Sequence, residues 1–439
     1  MTRDSLAVAI EALSWMAYSG IGERTALLKA SSQLNIQGIG ELRQAHKWVM
    51  ETSRFQNRLD WVIAQAVPDD IVKVAPHGIR SLLRILAYMK VVDSKPRADL
   101  EKTVSWGRQV IGWGDLRPYE EHIARLVSTT QDPLTSRTSE FEKLAVDTCH
   151  PAWYVQKLVT NFGRPFALEI LRRDLFRVGT FARANSLKMS RDRSIETTLG
   201  AVQIDGLDEV YSIIKPARGS ERAKLASNGE IVIQDLGSIV VGLVASPSPG
   251  DVVLDICASP GNKTSHLAAQ MRNEGEIYSI ELSRTRCLQW KKEMNRTGCS
   301  IATLIRGDAR KLPLRIQGKV VVVDPPCSNS GVFARNPASK WRVTPVRLKE
   351  LVRSQEEILQ AASQAVIEGG TLVYCTCSVL PEEDEYIVET FLRKNPEFDL
   401  VQQAPFLGRQ GLRGLSLCQR FYPCFHDCNG SFIAKMRKG

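Results

Sequence analysis

The residues Val252–Thr264 read VVLDICASPGNKT. A short apolar, β-branched run ends near Asp255 and turns tightly into a segment with helical spacing, Ser265–Met271. Such a strand–turn–helix opens a doubly wound α/β sheet, whose ligands sit at the carboxyl ends of the strands. Gly261 permits a backbone conformation, or a close approach, that a side chain would obstruct. Similar runs recur outward from this unit at Glu276–Glu281, Ala302–Arg306, Val320–Val323 and Thr371–Tyr374. Two more, Phe398–Val401 and Ser431–Lys435, lie in the tail. Near-continuous apolar strands separated by helices predict a parallel sheet covered on both faces, an α/β domain over residues 236–439.

The turn points to a class of ligand. A phosphate-binding loop needs Gly-x-x-x-x-Gly-Lys-Ser/Thr, but Cys257 and Asn262 hold its glycine positions. A dinucleotide fold needs three glycines, and only Gly261 is present. Without a glycine-rich seat for a pyrophosphate, an adenosine ligand lacking phosphate fits better, namely S-adenosylmethionine. Glu281 ends the second strand, twenty residues after Gly261, where a carboxylate accepts from both ribose hydroxyls. Asp308, after the third strand, is placed to accept from an adenine amino group.

Two cysteines stand just past strand ends. Cys327 follows Asp324-Pro325-Pro326, and Cys377 follows Tyr374-Cys375-Thr376. If their strands are neighbours, both thiols face one cleft beside the cofactor. A lone buried cysteine is usually a small hydrophobe, but a pair on loops at a ligand site suggests covalent chemistry. C5 of a pyrimidine is a poor nucleophile. A thiolate adding to C6 makes C5 electron-rich enough to take an electrophilic methyl group, and loss of the C5 proton then releases the thiolate. Nearby positive charge favours the thiolate; Lys263 and the stretch 306–353, with eleven basic and three acidic residues, are the available sources. Asp324 is placed to bond the ring near N3. The target base must leave any stack to enter.

The 439 residues carry a net charge of +10, with 43% hydrophobic and 24% charged residues. These values exclude a mainly disordered chain. No run approaches the ~20 apolar residues of a membrane helix, and Asp4 and Glu11 rule out a secretory signal at the N-terminus. A cytoplasmic protein without membrane contact is expected. The ten cysteines, none before Cys149, read as thiols before disulfides. Cys418, Cys424, His426 and Cys428 lack the paired spacing of a zinc site, so no metal is expected. The acidic run Glu382–Glu385 reads as charge at the start of a helix.

The first 127 residues read as helical at Leu6–Trp15, Trp48–Val62, Ile79–Met89 and Leu100–Ile111, and the polar residues 128–142 as a linker. Helices at Pro151–Asn161 and Pro165–Arg173 and strands near Val178–Arg183 and Ala201–Ile204 follow.

Three stretches together carry a family resemblance: DICASPGNKT (255–264), DPPCS (324–328) and Thr376-Cys377-Ser378 with Pro381-Glu382-Glu383 and Glu385. They resemble DLCAAPGGKT, DAPCSGTG and STCSxxPEENE of the Sun/RsmB-type (Nol/Nop/Sun) RNA cytosine-C5 methyltransferases. Gln234-Asp235, Lys340-Trp341, Gln355 and Arg420-Phe421-Tyr422-Pro423 fall in the same order. Upstream, Pro151-Ala152-Trp153 and Arg183-Ala184-Asn185 resemble the family's RNA-binding subdomain. Leu59-Asp60-Trp61-Val62, Leu83-Arg84-Ile85 and Lys95-Pro96 resemble a NusB-like domain.

The resemblance implies three parts. These are an all-α NusB-like domain (1–130), an α+β RNA-binding subdomain (143–235) and a Rossmann-like S-adenosylmethionine-dependent methyltransferase domain (236–439). It implies that Cys377 is the covalent nucleophile, that Cys327 assists release, and that Asp324 touches cofactor and cytosine. The loop Cys257, Ala258, Ser259, Pro260, Gly261, Asn262 and Lys263, with Glu281, Arg286 and Asp308, would hold the cofactor. Arg183, Asn185, Lys340 and Trp341 would meet RNA, with Trp341 available to stack on a base. Ribosomal RNA is the implied substrate, transfer RNA the alternative, and a monomer is expected. A non-catalytic RNA-binding assembly factor is a further alternative, opposed by the intact Cys327, Cys377 and Asp324. An amino-group methyltransferase is another, opposed by Cys327 standing where such enzymes carry an aromatic. The chain departs from the family's usual residues at Ser259, Asn262, Glu281 and Asn329.

Overall fold

The computed structural model describes residues 2–128, 139–189, 195–214, 219–313 and 315–439. The chain divides into two compact units. One comprises the residues up to Leu175 together with Asn336–Val343; the other comprises Phe176–Arg335 and Thr344–Gly439. This differs from three consecutive domains in two places. The helices Glu140–Thr148, Ala152–Phe162 and Arg164–Arg173 belong with the N-terminal helices. Eight residues from the middle of the expected methyltransferase domain do too.

The first unit is helical among its described residues. Its opening helix, Arg3–Ser19, starts where the Thr2 side chain accepts the Ser5 N–H and stops at Gly20 in the left-handed region. Its apolar stripe (Leu6, Ala9, Ile10, Leu13) packs into one core with Trp48, Leu59, Leu82 and Leu86, the usual arrangement for an amphipathic helix. The single helix expected over Trp48–Val62 is two, Ile39–Arg54 and Gln56–Ala64, parted at Phe55. Their apolar positions are continuous, so periodicity alone could not show the break. Of the expected linker, residues 129–138 lie outside the described residues. Ser139 already caps the next helix, its side chain and that of Glu142 forming a reciprocal capping box.

The second unit holds two sheets. In the smaller one, β1 (Thr180–Ala184) lies between β3 (Val210–Ile213) and β4 (Ile231–Ile233), and β2 (Ala201–Gln203) pairs with β3, all antiparallel. Among the described residues, nine strands form the larger sheet. The strands β5 (Val252–Ile256), β6 (Glu276–Glu281), β7 (Ala302–Arg306), β8 (Gly318–Val323) and β9 (Val366–Thr376) pair in parallel, in the order β9-β8-β5-β6-β7. The chain reverses order at β5, so a crevice opens past its end.

Beyond β9 the sheet turns antiparallel. There β13 (Ser431–Lys438) pairs with β9, with β10 (Phe398–Leu400) and with β12 (Gln419–Phe421), and β11 (Arg409–Gln410) follows. The two faces of the sheet feed separate apolar cores, one with Val253, Val320 and Val322, the other with Leu254, Val321 and Val323. This explains the unbroken valine run of β8. No helix among the described residues is long and apolar enough to cross a membrane.

Candidate active site

Residues 257–261 connect β5 to the helix Asn262–Gln270, with Gly261 capping the helix at φ +110°. A Cβ on Gly261 would stand 2.7 Å from the Met294 methyl, so both conformation and space require glycine. The loop is tied from several sides. The Ser259 hydroxyl donates to the Arg286 carbonyl (2.9 Å), and the Arg286 guanidinium donates back to the Ser259 carbonyl. Thr264 donates to the buried Asp255 (2.6 Å), whose carboxyl burial pushes up to about 6.

Lys263 Nζ pairs with Asp324 Oδ2 at 2.6 Å and reaches Ser238 Oγ at 3.1 Å. Burial opposes the Lys263 charge, but Asp324, with Asp255 behind it, outweighs burial and raises the ammonium's pKa. Lys263 is thus committed to a carboxylate. Asp255, Cys257, Asn262, Lys263, Asp324 and Cys377 line one cavity of about 220 Å³.

Glu281 closes β6, and Asp308 stands just past the end of its neighbour β7. Glu281 is buried. One oxygen accepts the Ser283 N–H at 2.8 Å; the other makes no hydrogen bond and has Arg286 Nε at 3.5 Å. A buried carboxylate oxygen with spare capacity suits a ribose hydroxyl, so the residues fit an adenosine cofactor on this point. Asp308 is gripped by Arg310, whose hydrogen bonds hold its carboxyl below the usual range.

Cys327 and Cys377 follow the parallel neighbours β8 and β9. Their sulfurs lie 3.0 Å apart, and the Cys377 thiol also donates to Asn329 Oδ1 at 3.0 Å. The hydrogen bond to Cys377, then burial, and then the charges of Cys377 and Glu383 push the Cys327 thiol well up. Two sulfurs this close disfavour ionising together, and Cys327 holds its proton firmly.

Behind the sulfurs lies a network that linear reading missed. Glu383 is fully buried. It accepts from the backbone N–H of Ser328 (2.7 Å), the hydroxyls of Ser328 and Ser378 (2.6 Å for Ser378), and Gln355 Nε2 (3.0 Å). One carboxylate thus ties the residue after Cys327 to the residue after Cys377. Asp384 and Glu385, also buried, bind Arg420 at 2.9 and 2.6 Å. The run Glu382–Glu385 does stand at a helix start, with Asp384 at the N-cap and Glu385 in the first turn of Glu385–Lys394, but Glu383, Asp384 and Glu385 also point inward and hold loops together. The signal for this is chemical: Ser328, Ser378 and Gln355 are donors, and Arg420 is a cation.

The residues expected to meet RNA are placed otherwise. Arg183 is buried; its Nε donates to Gln234 (3.0 Å) and its Nη2 to Ser265 Oγ (2.7 Å) and the Asn262 carbonyl (3.3 Å). It supports the cofactor loop from behind. Buried Asn185 donates to the carbonyls of Gly229 and Thr297. Within the helical unit, Lys340 is buried with Nζ on the Arg54 carbonyl (2.9 Å), and Trp341 Nε1 donates to the Ser53 carbonyl (2.6 Å). Arg183, Asn185 and Lys340 satisfy the interior instead of presenting themselves to a polyanion, whereas Trp341 is only half-buried and lines a cavity of about 310 Å³. The basic stretch 306–353 is also no single patch. Arg310, Arg347 and Arg353 pair with Asp308, Glu350 and Glu357, and residues 336–343 belong to the other unit.

Residues 243–437 match the family model described as 16S rRNA methyltransferase RsmB/F. The chain is 28% identical to the probable ribosomal RNA small subunit methyltransferase B of Bacillus subtilis, over 98% of each chain. It is 34% identical to the tRNA (cytosine(72)-C(5))-methyltransferase of Pyrococcus horikoshii, over 57% of this chain and 59% of that one. The crystal structure of PH0851 superposes with a TM-score of 0.84 at 25% identity, over 100% of this chain and 99% of that one. The order of the strand-end loops, the paired cysteines and these matches agree: the chain belongs to the Sun/RsmB (Nol/Nop/Sun) family of RNA cytosine-C5 methyltransferases.

Proposed function

We propose that this protein methylates C5 of a cytosine in RNA, with ribosomal RNA as substrate. The 3.0 Å separation of the Cys327 and Cys377 sulfurs, on neighbouring strand ends beside Asp324, is the observation that carries the reading. S-adenosylmethionine supplies an electrophilic methyl group. Residues 257–263, Glu281 and Arg286 would hold it, with Asp308 at the adenine end once released from Arg310.

Cys377, as thiolate, adds to C6 of a cytosine turned out of its stack, and the electron pair of the C5–C6 double bond becomes available at C5. Asp324, with Lys263 beside it, bonds the ring as charge builds there. Once the methyl group has passed to C5, leaving a neutral thioether behind, a solvent water acts as base and takes the C5 proton. The C5–C6 bond becomes double again and the Cys377 sulfur is expelled as thiolate. Cys327 assists that release.

Ribosomal RNA is favoured over transfer RNA because the rRNA-methylating relative aligns along both units, whereas the tRNA-methylating one aligns with 57% of the chain. We propose a cytoplasmic monomer.

The test is incubation with RNA and labelled cofactor, followed by mapping of 5-methylcytosine. Cys377→Ala is expected to abolish turnover. Cys327→Ala is expected to accumulate a covalent protein–RNA adduct, visible as a slow band in denaturing gels. Normal methylation by Cys377→Ala would remove the nucleophile assignment.

A further inference from the structure

Position 329 is where the chain departs from the family's usual glycine beside the reacting sulfurs. Asn329 follows Cys327 by two residues and is exposed, with φ +58°. Its side chain spans the two cysteines. Nδ2 donates to the Cys327 carbonyl at 3.2 Å, and Oδ1 accepts from the Cys377 thiol at 3.0 Å. The first bond fixes the orientation of the amide. Only the NH₂ end can face a carbonyl, because the reverse would set two acceptors against each other. The oxygen therefore faces the sulfur, and an oxygen can accept a thiol proton but cannot stabilise a thiolate.

We propose that Asn329 caps the Cys377 sulfur, holding it as S–H and covered until a pyrimidine ring enters and displaces the amide. The inference rests on Cys377 being the nucleophile. It adds that this chain restrains that nucleophile between turnovers, a device a glycine at this position could not provide. Entry of the base breaks the S–H···O bond and lets the thiol proton pass to solvent water, so activation of the thiol is tied to occupancy of the cleft.

The test is alkylation of the resting protein by iodoacetamide at pH 7, with modification of Cys377 followed by peptide-resolved mass spectrometry. Asn329→Gly suits the backbone, since glycine adopts this φ at no steric cost. It is expected to raise the Cys377 alkylation rate about two- to fivefold, the scale of one weak hydrogen bond. Asn329→Ala removes the same oxygen and is expected to act in the same direction. Asn329→Asp keeps the shape but places a negative charge beside the sulfur, and is expected to slow alkylation by a similar factor. A merely covering side chain would leave Asn329→Asp at the wild-type rate, and that result overturns the proposal, as does an unchanged rate in Asn329→Gly. Alkylation needs neither RNA nor cofactor. If the wild type forms no 5-methylcytosine, the functional reading fails; if it does and the alkylation order is absent, the cap fails.

Discussion

Each compact unit withdraws one lysine from water, and the two are treated in opposite ways. In the catalytic unit, Lys263 keeps 14% side-chain exposure and meets the Asp324 carboxylate at 2.6 Å. Its charge is held. In the helical unit, Lys340 is 1% exposed and donates to a backbone carbonyl, that of Arg54. Burial lowers its pKa to about 7, although Cys149 and Asp174 act against the shift. A carboxylate in direct contact preserves a buried ammonium; a carbonyl dipole with a more distant acid does not. The first arrangement gives a permanent charge pair at a reacting centre, the second a cation that is costly to bury.

Removing the partner at the catalytic lysine is the largest perturbation. Asp324→Asn leaves Lys263 without its carboxylate. Turnover is expected to fall about 10²–10³-fold. Stability should fall by about 1–3 kcal/mol, less than for a fully buried pair because Asp324 keeps 30% exposure. Steady-state methylation and urea unfolding measure the two effects, and wild-type turnover in Asp324→Asn would dissolve the contrast.

The helical lysine should show itself through pH. The folded chain holds the Lys340 proton up to about pH 7, but an unperturbed lysine holds it up to 10.5. Between those values the unfolded state binds more protons, so this group's contribution to stability increases as pH rises from 7 toward 10.5. Urea unfolding at pH 7 and pH 9 is expected to show a gain of roughly 2 kcal/mol from it. Lys340→Met should lose that slope while staying folded, since a well-packed apolar side chain replaces a charge that gains little by burial. Equal slopes in the two proteins would mean that Lys340 stays charged.

The same contrast explains which parts of the molecule were legible in the sequence. The strands β5 to β8 announce themselves because a parallel sheet covered on both faces needs unbroken apolar runs. Gly261 and the paired cysteines stand at strand ends, where position alone suggests a site. The short strands β3, β4, β11 and β12 carry too few residues for a period-two pattern, and the break at Phe55 leaves the apolar spacing intact. The family resemblance points Lys340 and Trp341 toward RNA; the partners of their polar atoms, the carbonyls of Arg54 and Ser53, lie nearly 290 positions away. Glu383 reads as a helix charge on a different ground. Acids are usually exposed, and its donors Ser328, Gln355 and Ser378 converge only once β8, β9 and the helix Pro345–Ser363 are assembled.

The placement of Asn336–Val343 in the helical unit has a consequence for the order of assembly. Within that unit Ala338 N–H donates to Glu23 (2.8 Å), alongside the Lys340 and Trp341 bonds to Arg54 and Ser53. A ribosome that has synthesised only the first 175 residues has not yet made these donors. The helical bundle must wait for a further 168 residues before its last piece arrives, by which time β5 to β8 are already available to pair. Domains usually mature one after another from the N-terminus; here the first to begin cannot be the first to finish. No single cut in the chain yields the helical unit whole.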